Sequence, residues 1–519
     1  MAALPRIQRA IISVSDKTNL PLLARALSSR HVEIIATGGT AKLLQEHHIP
    51  HIEVSDYTGF PEIMNGRVKT LHPKIHGGLL GRLEEDEAVM TAHHIAPIDL
   101  VVVNLYPFEK TIADPHCSLP EAIEHIDIGG PTMLRAAAKN FQRVTVVVDP
   151  NDYEKLIHEM DTHQGATTLE TRHHLAQKTF AHTAHYDTVV ANYLAPVSTA
   201  DHFPEVLTCT FPKKQALRYG ENPHQLAACY WDDPYPGSLA NARVLAGKPL
   251  SYNNFMDADA ALHCVQNLQT PACVIVKHAT PCGAAQSHSQ FTAYQQALAT
   301  DPISAFGGII AFNTPLETET AQYLLDHQFA EVIIAPDFHE AALRCFESKP
   351  NCRLLATGAG EFPPRAWEYR RISGGVLIQT VDHTALTPEN LKVVTQKIPT
   401  KKEFVSLLFA WNVVRFAKSN AIVYAREGYT LGIGTGQTSR VFSAEIAALK
   451  AKQAGLSLAN SVMASDAFFP FADGLRTAIQ AGVTAVIQPG GSVRDKEVIE
   501  AANAAGIAMV LTGIRCFKH

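Results

Sequence analysis

Residues 98–108 read IDLVVVNLYPF, and the middle of this stretch is apolar at consecutive rather than alternate positions. A strand with one wet face alternates, whereas an unbroken run such as LVVVNL suits a strand covered by helices on both sides. Working outward, QRAIISVSD (8–16) and RVTVVVD (143–149) repeat the pattern. Helix-like KTNLPLLARALSSR (17–30) and TAKLLQEHHI (40–49) flank the strand-like HVEIIATGG (31–39). This is the βαβ rhythm of a parallel sheet, so the N-terminal part is expected to be a doubly wound α/β unit. A His- and Thr-rich helical stretch over 151–194 follows, and then APVSTADHFPEVLTCTFPKK (195–214) breaks the pattern with prolines and small polar residues. That break sets a domain boundary near 195–215, giving units of 1–200 and 201–519.

Beyond a Pro-, Gly- and Asn-rich segment at 232–249, strand-like runs return at ACVIVKH (272–278), GGIIAFN (307–313), EVIIAP (331–336), RRISGGVLIQ (370–379), NAIVYA (420–425) and TAVIQPGG (484–491). Helical stretches separate them, among them FMDADAALHCVQNL (255–268), FVSLLFAWNVVRFA (404–417) and KEVIEAANAAG (496–506). The second part is therefore α/β again, and its length exceeds one usual core, so two subdomains are expected. No fixed-period repeat and no low-complexity tract is visible.

With 519 residues, 46% hydrophobic and 18% charged, the chain has the composition of folded domains, not of disorder or collagen. Its 44 Lys+Arg against 50 Asp+Glu leave a net charge of −6, which excludes a globally basic nucleic-acid surface but not a local anion site. No window approaches the roughly 18–20 uninterrupted apolar residues of a membrane span, and MAALPRIQRAIISVSDK lacks the apolar core of a signal peptide. A cytoplasmic protein is expected, with no membrane or nucleic-acid partner. The nine cysteines are scattered, never spaced C-x-x-C, and read as reduced thiols. His72 and His76 in HPKIH have the i, i+4 spacing of a helical metal site, but Pro73 between them argues for a loop, so no metal is expected.

In a parallel sheet, ligands bind where strands end and helices begin. Ser13-Val14-Ser15-Asp16-Lys17-Thr18 supplies hydroxyls and a cation at one such junction, and Thr37-Gly38-Gly39-Thr40 supplies two glycines whose N–H groups can approach an anion closely. Singly, each is also a plain N-cap; together on one sheet edge they form a phosphate site. Arg67 and Lys69 lie at i, i+2, on one side of the segment if it is extended, or on a solvated basic loop. Asn104 and Tyr106 stand at the end of LVVVN, Tyr106 being equally suited to packing. Asp127-Ile128-Gly129-Gly130-Pro131 opens a helix carrying Arg135 and Lys139 four apart on one face, or is a tight turn.

In the second part, Arg218-Tyr219-Gly220-Glu221-Asn222-Pro223-His224 is too rich in hydrogen-bonding groups for a mere connector. Lys277-His278 ends an apolar strand and leads into Ala279-Thr280-Pro281-Cys282-Gly283, which makes His278 the best general-base candidate in the chain, the alternative being a capped surface histidine beside a solvated lysine. Gly432-Ile433-Gly434-Thr435-Gly436 lacks both the G-x-G-x-x-G spacing and the following acidic residue of a dinucleotide loop, so NAD is excluded. Ser465-Asp466-Ala467-Phe468-Phe469-Pro470-Phe471 suits a flat heteroaromatic ligand or a core, and Gln488-Pro489-Gly490-Gly491 is another strand-to-helix junction.

Taken in order, SVSDKT, TGGTAKLL, NGRVKTLHPKIHGGLL, NLYPF, DIGGPTMLRAAAKN, LRYGENPHQ, VKHATPCGAA, DPISAFGGIIAFN, KSNAIVYA, GIGTGQTSR, SDAFFPF and QPGGSVRDKEVI closely resemble the bifunctional purine-biosynthesis family that joins phosphoribosylaminoimidazolecarboxamide formyltransferase to IMP cyclohydrolase. The resemblance runs from about residue 8 to 519. It implies a methylglyoxal-synthase-like domain that closes the purine ring and two cytidine-deaminase-like subdomains that transfer a formyl group from 10-formyltetrahydrofolate. The C-terminal part departs from zinc deaminases: no second cysteine follows Cys282 at C-x-x-C spacing and no H-x-E is present, which fits a mechanism without metal.

By resemblance, the ring-closing site comprises Ser15, Lys17, Thr37, Gly38, Gly39, Thr40, Arg67, Lys69, Thr70, Asn104, Tyr106, Asp127 and Lys139, with Lys69, Tyr106, Asp127 and Lys139 around the base and Lys139 moving the proton. Lys277 and His278 match the catalytic pair of the transferase. Arg218, Tyr219, Gly307, Glu331, Asn420, Arg440 and Arg515 match positions that bind the aminoimidazole ribotide (AICAR), while Asp466 and Gln488, Gly490 and Gly491 match positions near the folate. AICAR, its formylated product FAICAR, IMP and folate are the implied ligands, and a homodimer with transferase sites built from both chains is the implied assembly.

Overall fold

The computed structural model describes residues 4–82, 84–195, 203–232, 234–360 and 367–519, and the chain forms two compact units, Met1–Thr210 and Phe211–His519. Among the described residues no helix is long and apolar enough to cross a membrane.

In the first unit, strands β1 (Arg9–Val14), β2 (Glu33–Ala36), β3 (Ile52–Glu53), β4 (Leu100–Asn104) and β5 (Thr145–Val147) form one parallel sheet in the order β3-β2-β1-β4-β5. The consecutive apolar residues of β1 have partners on both faces. Ala10, Ile12 and Val14 pack with Leu20, Leu23 and Leu27 on one side, and Ile11 packs with Ile75, Leu79 and Leu134 on the other. The doubly wound unit expected from LVVVNL is therefore what forms. Helices Leu20–Ser28, Gly38–Glu46 and Gly129–Lys139 begin on the side where β1, β2 and β4 end. One local expectation is corrected. HPKIH is not a loop but the start of helix Pro73–Leu80, with Pro73 in the first turn and His72 as the N-cap whose Nδ1 accepts from Lys74 N at 3.1 Å. Proline is tolerated there because the first N–H of a helix has no partner to lose.

The second unit holds β6 (Lys213–Leu217), β7 (Ala227–Tyr230), β8 (Arg243–Ala246), β9 (Ala272–Lys277), β10 (Thr280–Gln286), β11 (Gly308–Phe312), β12 (Ala330–Ala335), β13 (Arg353–Ala356), β14 (Trp367–Ile372), β15 (Gly375–Thr380), β16 (Lys392–Val393), β17 (Ile422–Arg426), β18 (Tyr429–Gly434), β19 (Val462–Ser465), β20 (Ala485–Gln488) and β21 (Ala508–Leu511). Twelve of these make a single mixed sheet in the order β16-β21-β20-β19-β17-β18-β10-β9-β11-β12-β13-β8. Read from its middle, the order is the same in both directions: two six-stranded halves, each a hairpin followed by parallel strands, joined where β10 meets β18 antiparallel. The duplication escapes a search for a fixed period because the connections differ in length between the halves. RRISGGVLIQ, read as one strand, is a hairpin of β14 and β15 outside that sheet, turning at Ser373-Gly374 with Gly374 at φ +79°.

One face of the large sheet carries a single core, in which Leu262, Val274 and Ile309 of the first half share a cluster with Trp411, Val423 and Ile487 of the second. Strand directions place the carboxyl ends of β9, β18, β19, β20 and β21 and the amino ends of β10, β11, β12 and β17 along one edge.

Candidate functional sites

A cavity of about 600 Å³ opens at the strand ends of the first unit, lined by Ser15, Lys17, Thr37, Gly38, Gly39, Thr40, Arg67, Lys69, Thr70, Asn104, Tyr106 and Asp127. Twelve of the thirteen residues expected in the ring-closing site thus converge. Asn104 organises the first loop: its Oδ1 accepts from Ser15 N at 2.6 Å and Asp16 N at 2.8 Å, and its Nδ2 donates to Asp16 O at 2.9 Å. Thr40 Oγ1 accepts from Val14 N at 3.1 Å, which ties the start of helix Gly38–Glu46 to the end of β1. The two ammonium groups sit against the glycine pair. A Cβ on Gly39 would stand 3.7 Å from Lys17 Nζ and one on Gly38 3.8 Å from Lys69 Nζ. Two cations beside the amino end of a nine-residue helix make an anion cradle, since unpaired N–H groups, helix dipole and ammonium charge all favour a phosphate there.

Two cations of the cavity, Lys69 and Arg67, are already paired with carboxylates, which sequence reading missed, while Lys17 Nζ donates to Val14 O at 3.2 Å. Lys69 Nζ lies 3.0 Å from Glu62 Oε1, and Arg67 forms an ion pair with Glu124, its Nε donating to Oε1 at 3.2 Å. Arg67 follows a tight turn at Met64–Gly66 and is not extended, so the i, i+2 projection drawn for it and Lys69 does not arise from a strand. Asp127 sits deeper: its Oδ1 accepts from Gly130 N at 2.8 Å, and its own N–H donates to Tyr186 Oη at 2.8 Å. Burial is the largest influence on its carboxyl and pushes the pKa up, against the pull of the Gly130 and Tyr106 N–H groups. Tyr106 keeps about half of its surface open (47%), as a group awaiting a ligand does and a packed aromatic does not.

Lys139 is the one expected residue that does not line this cavity within a single chain. The helix that starts at this cavity with Gly129 ends at Lys139, and ten residues of rise put the two ends about 15 Å apart. Lys139 instead lines a separate cleft with Arg135, Leu80, Phe141, His173 and Phe180.

In the second unit, Lys277, His278, Gly307 and Glu331 meet at the shared strand edge. Lys277 Nζ donates to Phe306 O at 2.7 Å and faces Gly307, where a Cβ would come within 3.2 Å of it at φ +69°. Glu331 Oε2 accepts from Asn254 Nδ2 at 2.9 Å, and Asn253 Nδ2 donates to Glu221 O at 3.3 Å. Arg218 lies over the Tyr219 ring at 5.4 Å in that same polar loop. Asn253 and Asn254 were not singled out from sequence, although Ser251 and Asn254 form the reciprocal cap that starts the helix Tyr252–Gln266.

Asn420, Arg440 and Asp466 form a second cluster. Arg440 Nη2 donates to Asn420 Oδ1 at 2.7 Å and to Asp466 Oδ1 at 2.9 Å, while Ser419 Oγ donates to Asp466 Oδ2 at 2.5 Å. Arg515 neighbours this cluster in sequence through Cys516, whose N–H donates to Asp466 O at 3.0 Å. Two expected folate positions change role here. Asp466 and Gln488 are both fully buried: the Asp466 carboxylate is spent on Arg440 and Ser419, and Gln488 Oε1 accepts from Gly490 N at 3.2 Å. Both side chains lie behind the surface that Arg440, Gly490 and Gly491 form. Among the described residues no group of three or more His, Cys, Asp or Glu side chains gathers as a metal site.

Comparison with known proteins matches two consecutive stretches of the chain, whose junction lies inside the first compact unit. A family model described as an MGS-like domain matches residues 20–132, and one described as the AICARFT/IMPCHase bienzyme matches residues 137–450. A solved structure titled "Crystal structure of ForH" is 37% identical over 36% of this chain and 97% of its own, with a TM-score of 0.33. Because the bienzyme model spans more than half of the chain, beside an MGS-like match on the sheet that carries the phosphate cradle, the protein belongs to the AICARFT/IMPCHase bienzyme family of purine biosynthesis, which transfers a formyl group to AICAR and closes the product to IMP.

Proposed function

We propose that the two reactions of the family are divided between the units, ring closure in the cavity of the first and formyl transfer at the strand edge of the second. The observation that carries the first half is the pairing of Lys17 and Lys69 with Gly39 and Gly38. The 5′-phosphate of FAICAR docks on the N–H groups of Gly38, Gly39 and Thr40 and on Lys17, with the hydroxyls of Ser15 and Thr37 beside it. Phosphate binding draws Lys69 away from Glu62. The carboxamide nitrogen then attacks the formyl carbon, forming the N–C bond and an oxyanion that Lys69 and Tyr106 stabilise. Asp127 takes the proton released by that nitrogen and returns it to the oxygen, which gains a second proton as the formamide nitrogen gives up its N–H, and water leaves as the C=N bond of IMP forms. Lys139 of the same chain is too far away to move this proton.

In the second unit, the 5-amino group of AICAR attacks the formyl carbon of 10-formyltetrahydrofolate. His278 accepts the amine proton and hands it to the folate nitrogen as the bond from that nitrogen to the formyl carbon breaks and tetrahydrofolate leaves, while Lys277 stabilises the tetrahedral oxyanion. Arg218, Tyr219, Gly307, Glu331, Asn420, Arg440 and Arg515 hold the ribotide, and the turn at Gly490-Gly491 meets the folate. Between β9, which ends in Lys277, and β20, which ends in Gln488, lie five strand spacings, about 24 Å at roughly 4.8 Å each. One ribotide does not bridge that distance, which supports the reading of a homodimer whose transferase sites take residues from both chains.

The test is to supply AICAR and 10-formyltetrahydrofolate and follow tetrahydrofolate and IMP together. Wild type is expected to yield both. Lys69→Ala should accumulate FAICAR, with ring closure down about 100-fold or more, and His278→Ala should form neither product from AICAR yet convert added FAICAR at the normal rate. Normal formyl transfer in His278→Ala overturns the division.

A further inference from the structure

His278 and Ala279 make the two-residue turn between β9 and β10, and both adopt left-handed backbone, at φ 54° and 53°. Hairpin turns with positive φ at both central positions belong to Gly, Asn and Asp, and a residue with an ordinary Cβ is strained there. The turn is held from outside. Asp257, in the second turn of helix Tyr252–Gln266, accepts from Ala279 N at 2.7 Å through Oδ1, and its carboxylate also takes a backbone hydrogen bond from His278. The helix that carries Asp257 is itself pinned at Ser251, through Asn254 to Glu331 and through Asn253 to Glu221. The clamp on His278 and two segments with candidate ribotide-binding residues therefore share one rigid helix end.

We propose that Asp257 is a positioning residue for formyl transfer: it clamps the strained His278–Ala279 turn so that the imidazole is held at the reacting amine. This deepens the reading of His278 as the base and rests on it. Asp257 touches no substrate, since its oxygens are turned to the amides of the turn. It acts through His278 alone, whereas a residue that merely stabilised the hairpin would affect binding and stability whatever stood at position 278.

The experiment is a double-mutant cycle on the full-length protein. Asp257→Ala is expected to lower kcat for formyl transfer about 100-fold, the scale of a misplacement near 1 Å, with KM for AICAR within twofold and ring closure of FAICAR unchanged. Asp257→Asn keeps an acceptor oxygen and is expected to lose only about 10-fold. In a His278→Gln background, Asp257→Ala should cost less than twofold further. A kcat within twofold of wild type in Asp257→Ala, or the same fold-loss in both backgrounds, overturns the clamp. Should Asp257→Ala not fold, Asp257→Asn carries the same cycle. A near-normal rate in His278→Gln alone overturns the base reading and the clamp with it, whereas a dead His278→Gln beside an unaffected Asp257 variant overturns only the clamp.

Discussion

At the scale of single residues, burial separates groups that look alike in sequence. Asp127 and Asp466 are both acids next to glycine or aromatic motifs. Asp466 is fully buried, with both oxygens committed to Arg440 and Ser419, whereas Asp127 lines a cavity and its carboxyl is pushed upward chiefly by burial. A pH prediction follows from this shift. The proton leaves Asp127 at a higher pH than it leaves an ordinary aspartate, so with the anion as the working form, ring closure rises with pH through a value above that of an ordinary aspartate. Asp127→Asn should remove that limb; an unaltered limb in a still active Asp127→Asn enzyme would assign it to another group. Stability runs the opposite way. Between the unfolded and folded pKa values the native protein binds more protons, so stability falls as pH rises through that window, and Asp127→Asn should flatten the slope. None of this was legible from DIGGPTM, because burial is a property of what packs over the residue.

At the scale of elements, periodicity was informative where a strand or helix is buried along its length and uninformative where it meets another element. Runs such as LVVVN and ACVIV are strands because they are apolar on both faces, and both faces are covered. The seam between β10 and β18 had no such signal. Thr430 is fully buried there: its hydroxyl accepts from Ala284 N at 3.0 Å and donates to Ala284 O at 3.1 Å, and Thr300 Oγ1 donates to Thr430 O at 2.8 Å. A lone threonine in YTLGIG is indistinguishable from any strand threonine until its partner, about 146 positions away, is known. Thr430→Val should leave the Ala284 groups without that hydroxyl and cost about 2 kcal/mol. The check is a lowered thermal transition for the second unit, with Thr430→Ser restoring most of it. An unshifted transition in Thr430→Val would mean that the seam does not depend on these bonds.

At the scale of the whole molecule, the two compact units have separate cores. Among the described residues, Leu100, Val102 and Val147 share a core cluster of first-unit residues, and Val274, Trp411 and Val423 one of second-unit residues. A fragment of residues 1–210 is therefore expected to fold and to retain ring closure of FAICAR within about tenfold of the full chain, while showing no formyl transfer. Loss of ring closure in a folded fragment would mean that the second unit supplies part of that site. The second unit is not divisible in the same way. Its two halves share one core face, so a cut between them would expose Leu262, Val274, Trp411 and Val423 together.

Sequence alone was enough for the strand-and-helix alternation, the family, and the twelve residues that line the first-unit cavity. These are local patterns: consecutive apolar positions, glycine pairs before a helix, and motifs in a fixed order. It took the folded chain to show that Lys139 lines a different cleft and that Asp466 and Gln488 are buried. The pairing of Lys69 with Glu62 and the clamp of Asp257 on the His278 turn also waited for it. Each depends on helix length, burial or a partner distant in the chain, and no window of sequence contains those quantities.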